Sequence, residues 1–215
     1  MDARIVLHVR DLGADQLPRL AIRPYPAEYV APWTMKDGTS VTLRPIHPED
    51  ETLMVKFHET LSQQSAYLRY FYFLSLTSRV AHERLIRMCF VDYDREMALV
   101  ADHRDANAGE DRIVAVGRLS KLHRRNEAEV AVLVSDPYQH RGLGAELLRR
   151  LIEIARNEKL DCIIADILQE NEAMKALAKR FGFHFRASDD PAVVRAVLEF
   201  GQRVPTPCQR LHRQI

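Results

Sequence analysis

The stretch Val130–Ala155, VAVLVSDPYQHRGLGAELLRRLIEIA, decides the fold. It begins with an apolar run that ends at Val134, and Asp136 and Pro137 then turn the chain. Two glycines follow, and after them apolar residues recur at the spacing of one helix face. We therefore predict a strand, a turn and an amphipathic helix over Leu143–Glu158. The inner face of this helix is expected to consist of Leu147, Leu148, Leu151, Ile152 and Ala155.

The turn before this helix has the chemistry of an anion site. The first turn of a helix leaves several N–H groups without partners, and the macrodipole adds partial positive charge there. Gly142 and Gly144 carry no side chain that would hold an anion away, and Arg141 adds a formal charge. A plain strand–helix turn is the alternative interpretation. A GxGxxG dinucleotide motif is excluded by Leu147 at its third glycine, and the Walker lysine motif is absent.

The rest of the chain alternates between the two hydrophobic periods, which predicts a mixed α/β layer fold. Strands are predicted at Ser40–Ile46, Glu96–Ala101, Arg112–Ser120, Glu127–Val134, Cys162–Leu168, Phe183–Arg186 and Val193–Phe200. Helices are predicted at Pro48–Leu61, Ser65–Leu76, Val80–Met88, Leu143–Glu158 and Asn171–Phe181. The second helix is rich in aromatic residues, and aromatics at helical spacing are typical of core, although they could also line a ligand-binding site.

Bulk properties exclude several classes of function. The formal net charge is +1, so nothing indicates nucleic acid or an anionic membrane as a partner. No apolar run is long enough to span a bilayer. The three cysteines are far apart and odd in number, which favours reduced thiols in a cytoplasm. The nine histidines show no metal-ligand spacing, and we expect no bound metal.

The two ends differ from the middle. Asp2–Val9 is predicted to be a short strand, either without its original partners or paired with the main sheet. Four prolines lie between Asp11 and Pro32, so residues 1–35 are expected to form an arm or linker. Residues 202–215 are expected to be a flexible tail. This leaves residues 36–201 as the folded domain.

The segment Gln139–Gly144, QHRGLG, resembles the Q-x-x-G-x-G/A motif of the GCN5-related N-acetyltransferase (GNAT) superfamily. Two later features agree with it: Asp161–Leu168 followed by Asn171, and a last predicted helix that ends in Gly182–Phe183. The resemblance implies the GNAT fold, a mixed central sheet of about seven strands with helices on both faces.

The resemblance also implies acetyl-CoA as the cofactor. In the family, two central strands splay apart and admit the pantetheine arm, whose amides bond the strand backbone. The cofactor-binding residues implied here are Val132, Leu133, Val134, Gln139, His140, Arg141, Gly142, Leu143, Gly144, Ala145 and Asn171.

A closer similarity is to bacterial protein lysine acetyltransferases. It rests on Ala128–Val132 before the glycine turn, with LRPIHPEDE and SAYLRYF upstream. In many of these proteins the acetyltransferase domain follows a region like the ADP-forming acyl-CoA synthetases. Residues 1–35 would then contain the last strand of its ATP-grasp module and the connector. The implied substrate is a protein lysine, with acyl-CoA synthetases among the targets.

Acetylation of an amine requires a base. A lysine of pKa about 10.4 costs about 4.6 kcal/mol to neutralise at pH 7. The glutamate that serves as base in the protein-lysine branch matches Glu129. Glu127 shares the same strand face and is the alternative, although its place near the start of the strand favours a more solvated side chain. A charge that only keeps the strand edge soluble is the other interpretation of Glu129.

The proton donor to the leaving thiolate is left open. Many family members carry a tyrosine four residues before the glycine of the G-F pair, where this chain has Ala178. An unprotonated thiolate, a water molecule and a protonated Glu129 are the alternatives. Two other functions also remain open at this stage, a small-molecule amine acetyltransferase and a non-catalytic acyl-CoA-sensing module.

Overall fold

The structure is a computed structural model that describes residues 23–104, 109–122 and 125–201. The strand predicted at Asp2–Val9, most of the predicted linker and the predicted tail lie outside these ranges. Within them, no helix is both long enough and apolar enough to cross a membrane.

The described chain folds into one eight-stranded sheet with six α-helices. The strands are β1 (Ala31–Thr34), β2 (Ser40–Pro45), β3 (Glu96–Arg104), β4 (Asp111–Lys121), β5 (Glu127–Val134), β6 (Cys162–Leu168), β7 (His184–Ala187) and β8 (Val193–Glu199). The helices are α1 (Glu51–Glu59), α2 (Gln63–Tyr70), α3 (Leu76–Arg79), α4 (His82–Cys89), α5 (Leu143–Asn157) and α6 (Glu172–Arg180). The spatial order is β1-β2-β3-β4-β5-β6-β8-β7, and only the β5–β6 pair is parallel.

This architecture confirms the mixed α/β class, with one more strand than the approximate count of seven. The extra strand is β1, in a stretch that we had assigned to the linker because of its prolines. Pro32 is compatible with β1 because this strand lies at the edge of the sheet, where one side of the backbone needs no hydrogen-bond partner.

The aromatic-rich helix is shorter than predicted. Phe71 adopts a left-handed conformation with φ of 70°, and its N–H donates to the carbonyl of Tyr67, which ends α2. A new short helix then starts after Ser75, whose hydroxyl accepts from the N–H of Ser78. The single helix predicted over Ser65–Leu76 is therefore wrong in its second half.

Helices cover both faces of the sheet. On one face α5 and α6 pack over the main core, and seven residues of α5 are buried, which confirms its predicted inner face: Leu143, Leu147, Leu148, Leu151, Ile152, Ile154 and Ala155. On the other face α1 and α4 enclose a second cluster that includes Met54, Phe57 and Leu85. Because side chains alternate along a strand, β5 directs Val130, Val132 and Val134 to the first face and Leu133 to the second.

The approach of α5 to the sheet depends on Gly117 in β4. A Cβ atom at this position would lie 2.9 Å from a methyl carbon of Leu151 and 3.4 Å from Cβ of Leu147. Both leucines are fully buried, so neither side chain has room to move away.

We expect Gly117→Ala to lower the free energy of unfolding by about 1 to 2 kcal/mol, because the added methyl overpacks the core. Urea unfolding at pH 7.5 measures the change. Gly144→Ala is the matched control, since a Cβ there meets its nearest neighbours at 3.6 to 4.0 Å, and this variant should unfold at the wild-type urea concentration or slightly above it. Equal stabilities of the two variants would contradict the close approach.

Candidate active site

The central feature of the site is a wedge between β5 and β6. The two strands pair over three residues only, from Glu127 with Cys162 to Glu129 with Ile164. Beyond this point β5 stays paired with β4 up to Val134, and β6 stays paired with β8 up to Leu168. The strands therefore diverge after Glu129, as the resemblance implied.

Val132, Leu133 and Val134 lie along the open side of this wedge, where β6 provides no ladder partner for the β5 backbone. Backbone N–H and C=O groups in a partly buried position require hydrogen-bond partners. The wedge therefore presents a strand edge that an extended ligand with amide groups can pair with, which fits the pantetheine arm of coenzyme A.

The glycine turn closes the wide end of the wedge. After β5 the chain passes through a 3-10 turn at Asp136–Tyr138. Gly142 then takes φ of 90° at the N-cap of α5 with no side-chain cap, and the first helical bond runs from the Glu146 N–H to the Gly142 carbonyl. The preceding N–H groups of the first turn, on Leu143, Gly144 and Ala145, are therefore placed where a helix attracts anions.

Several motif side chains are engaged within the protein. The Gln139 side-chain amide donates to the Ser65 hydroxyl at 3.1 Å and to the Val134 carbonyl at 3.2 Å, so it ties the turn to α2. Arg141 forms an ion pair with Asp37 at 2.5 Å. His140 has φ of 60°, and the Leu143 side chain is buried. Gln139, Arg141 and Leu143 thus direct their side chains to partners within the protein.

Asn171 also has a structural role. It is the N-cap of α6, and its side-chain oxygen accepts from the Met174 N–H at 3.0 Å. It follows β6 after a short turn, so it lies on the opposite arm of the wedge from Val134. Ala178, at the place of the family tyrosine, is fully buried and has no proton to donate.

Lys36 lies beside the turn and was missed by the sequence analysis. A Cβ on Gly142 would lie 3.5 Å from the Lys36 Cε carbon, and the Lys36 N–H donates to the Arg141 carbonyl. This lysine sits in the β1–β2 turn, far from the motif in sequence, so no local spacing could reveal it.

Glu129 is the last paired residue before the wedge opens, and it is exposed. Its carboxylate has no hydrogen bond or ion pair within the described part of the chain. Glu127 is less exposed, contrary to our expectation: 13% of its side chain is accessible, and its carboxylate lies 3.8 Å from Nη1 of Arg125. The strand start is therefore the more enclosed position, and Glu129 is the more available carboxylate.

A cavity of about 470 Å³ opens on the face of β5 that carries Glu129. Ala131 and Leu133 form its floor, and α1, α2, α4 and β4 supply the walls. Four arginines line it, namely Arg69, Arg84, Arg87 and Arg118. No sequence motif indicates these residues, because they come from three separate elements with no common spacing.

The aromatic segment is only partly core. Tyr70 lines the cavity, whereas 55% of Tyr72 and 74% of Phe73 are accessible to solvent. The core interpretation is therefore wrong for the end of this segment, and Tyr70 lines a cavity instead of the core.

The family can now be assigned. The sequence model of the acetyltransferase (GNAT) domain matches residues 40–184. The chain belongs to the GNAT acetyltransferase family. It is 32% identical to the acetyltransferase PA5475 of Pseudomonas aeruginosa over 70% of this chain and 78% of that protein. It is 28% identical to the acetyltransferase Pat of Mycolicibacterium smegmatis over 82% of this chain, but this match spans only 51% of Pat.

Solved structures agree. The GNAT domain of S. lividans PAT superposes with a TM-score of 0.72 and 27% identity, over 82% of this chain and 99% of that one. The PaiA N-acetyltransferase of Thermoplasma acidophilum, in complex with coenzyme A, has the same fold at a TM-score of 0.58 and 15% identity, over 74% and 99% of the two chains. The chain is thus an acetyl-CoA-dependent acyltransferase.

No group of three or more histidine, cysteine or acidic side chains that could hold a metal occurs in residues 23–104, 109–122 and 125–201. His58, in the wall of the cavity, is fully buried, and neither ring nitrogen has a hydrogen-bond partner in these ranges. Burial, with the charges of Arg79 and Arg84 nearby, lowers the pKa of His58 from 6.5 to about 4.

Folding stability should therefore depend on pH through His58. Between pH 6.5 and 4 the unfolded chain binds a proton at this residue that the folded protein resists, so the free energy of unfolding falls by up to about 3 kcal/mol as the pH falls through this window. In His58→Gln this contribution is absent. The variant should be less stable than wild type at pH 7.5. Urea unfolding should show that the difference in free energy of unfolding between wild type and variant is smaller by about 2 kcal/mol or more at pH 4.5. A difference that stays constant with pH would contradict the prediction that His58 remains neutral in the folded protein.

Proposed function

We propose that the protein transfers an acetyl group from acetyl-CoA to the ε-amine of a lysine in a target protein, by direct attack in a ternary complex, with Glu129 as general base. The observation that carries this proposal is the position of Glu129. It is an exposed carboxylate with no hydrogen bond or ion pair in the described chain. It is the last residue of β5 paired with β6 before the wedge opens, and it lies on the same strand face as Ala131 and Leu133, which line the cavity.

The described residues fit the cofactor in two places. The N–H groups at the start of α5, with Lys36 and Arg141 nearby, would hold the pyrophosphate. The backbone of Val132–Val134 would pair with the amides of the pantetheine arm. Acetyl-CoA supplies the acetyl group as a thioester. An N–H of the β5 backbone would polarise the thioester carbonyl.

Glu129 has the environment that a base for lysine needs. The incoming lysine is an ammonium ion at neutral pH and must lose a proton before it can attack. An exposed carboxylate with no ion-pair partner can attract this ammonium and accept its proton, directly or through a water molecule. Glu127 is less suited, because the Arg125 guanidinium already offsets its charge.

A protein acceptor is supported by the surface around the cavity. Tyr72 and Phe73 lie exposed at the end of α2, the helix that contributes Tyr70 to the cavity wall. Exposed aromatic side chains are enriched where proteins meet. Acyl-CoA synthetases are the targets that the resemblance implies. The same proposal takes residues 1–35 as the end of a synthetase-like region and places the protein in the cytoplasm.

The proposal is tested by incubating the protein with labelled acetyl-CoA and a panel of acceptors, namely acyl-CoA synthetases, unrelated proteins and polyamines. Label on protein lysines, located by mass spectrometry, is the expected result. Label on small amines alone would identify a small-molecule acetyltransferase. Binding of acetyl-CoA without transfer to any acceptor would identify a sensing module.

Glu129→Gln should lower kcat/KM by at least about 100-fold at pH 7.5, because the amide cannot accept the proton. The residual activity of the variant should rise with pH as the acceptor lysine loses its proton to solvent. The Kd for coenzyme A should stay within about threefold of wild type. Glu127→Gln is the matched control on the same strand face, and its kcat/KM should stay within about threefold. Unchanged kcat/KM in Glu129→Gln would remove it as the base.

A further inference from the structure

The cavity beside Glu129 carries an excess of positive charge. Its lining includes four arginines and one carboxylate, Glu83. Arg118 is already bound, since its Nε donates to Glu96 at 2.7 Å and its Nη1 to the Met88 carbonyl. Arg69, Arg84 and Arg87 form no ion pair with any carboxylate of the described chain. Their positive charge is thus not neutralised by an ion pair, although Glu129 acts on Arg69 from beyond ion-pair distance.

Two of these guanidinium groups are held in place. Arg84 stacks over the Tyr70 ring at 4.7 Å from the centroid, and Arg69 lies 5.4 Å from the same centroid. The aromatic ring therefore fixes both cations on one wall of the cavity. Arg87 is exposed and stands at the rim.

Burial makes the charge of Arg69 costly in the absence of an anion. Burial lowers the pKa of Arg69, the positive charges of Arg118 and Arg84 act in the same direction, and Tyr70 and Glu129 oppose them. A cation taken out of water without a counter-charge destabilises the fold, unless a ligand supplies that charge.

A second observation points to a ligand independently. His58 is fully buried in the wall of this cavity, and both of its ring nitrogens lack partners within the described ranges. The Nε atom of Arg84, which lines the same cavity, is buried and equally unpartnered in these ranges. Buried polar atoms are nearly always hydrogen-bonded, so a cluster of exceptions around one cavity indicates a polar group that enters from outside.

We propose that the acceptor carries a carboxylate close to its reactive amine and that Arg69 and Arg84 bind this carboxylate while the amine reaches Glu129. This inference rests on the proposed function and names its substrate class, a lysine with an aspartate or glutamate nearby in the target protein. The same pocket disfavours polyamines, because their additional ammonium groups would meet the arginines. Arginine suits this role because its planar fork matches a carboxylate with two parallel hydrogen bonds.

The test compares matched acceptors with labelled acetyl-CoA. One arm uses heptapeptides with a central lysine and a single glutamate moved through the other positions, each paired with the same peptide carrying glutamine. The second arm pairs Nα-acetyl-lysine with N-acetylcadaverine, which differs only by lacking the carboxylate. We expect at least one glutamate peptide to exceed its glutamine partner about tenfold or more in kcat/KM.

Variants connect this preference to the cavity. In Arg69→Gln and in Arg84→Gln the glutamate-to-glutamine ratio should fall towards one, and in Arg84→Glu it should fall below one. If these arginines had only a structural role, the variants would lower kcat/KM for both peptides equally and leave the ratio unchanged. Arg186→Gln is the control, because Arg186 is an exposed arginine paired with Glu199 at the far edge of the sheet, and its ratio should equal that of wild type.

Each outcome separates the two proposals. A carboxylate preference in the small-molecule pair alone would keep the anion site and overturn the protein-lysine function. Equal rates within every pair would overturn the anion site and leave the protein-lysine function standing. A wild-type preference for succinyl-CoA over acetyl-CoA that Arg69→Gln abolishes would place the carboxylate on the donor and also overturn the inference.

If no acceptor is labelled, the proposed function fails, and calorimetric titration of the coenzyme A-loaded protein with the same peptides decides the anion site. Tighter binding of a glutamate peptide supports the site, and equal affinities within every pair overturn it.

Discussion

The short parallel contact between β5 and β6 is the constraint on which the site depends. Each strand is fully paired on its other side, β5 with β4 and β6 with β8, so the sheet is held together without a complete ladder in the middle. The three shared pairs end at Glu129, and the divergence leaves the backbone of Val130–Val134 facing an open wedge. Since interior backbone groups need partners, the fold contains a strand-shaped site before any side chain contributes to it. The same three pairs place Glu129 at the apex.

The two faces of the sheet offer separate sites for two anionic groups. On one face the start of α5 offers N–H groups and a helix dipole, with Lys36 beside it, which suits the phosphates of coenzyme A. On the other face the arginine-lined cavity suits an acceptor with a carboxylate. Glu129 lies on the cavity face at the apex of the wedge, and under the proposed function its negative charge would attract the acceptor ammonium ion. Donor and acceptor would thus approach from different sides and meet at the one place where the strands separate.

The predictions from sequence were most accurate where the residues of one helix or strand determine its structure without a distant partner. The buried face of α5 follows from its leucine spacing, and the strand before the turn follows from an uninterrupted apolar run. The predictions were wrong where contacts with residues far away in the sequence determine the local structure. Pro32 could join β1 only because the fold places that strand at an edge, and Phe71 breaks a helix that its composition would have continued. The arginine cavity draws on α2, α4 and β4, so no window of sequence contains its pattern.

The motif residues themselves show why a signature can be informative without every side chain touching a ligand. Gln139 and Asn171 both form side-chain hydrogen bonds within the protein. Gln139 connects the glycine turn to α2, and Asn171 caps α6. Gln139 contacts the carbonyl at the end of β5, and Asn171 begins the helix that follows β6, so each fixes the chain where it leaves one arm of the wedge. The cofactor would then be bound mainly by the backbone that these side chains fix in place. A motif of this kind specifies the position of the donor, whereas under the inference above the choice of acceptor would be left to Arg69 and Arg84, which the motif does not include.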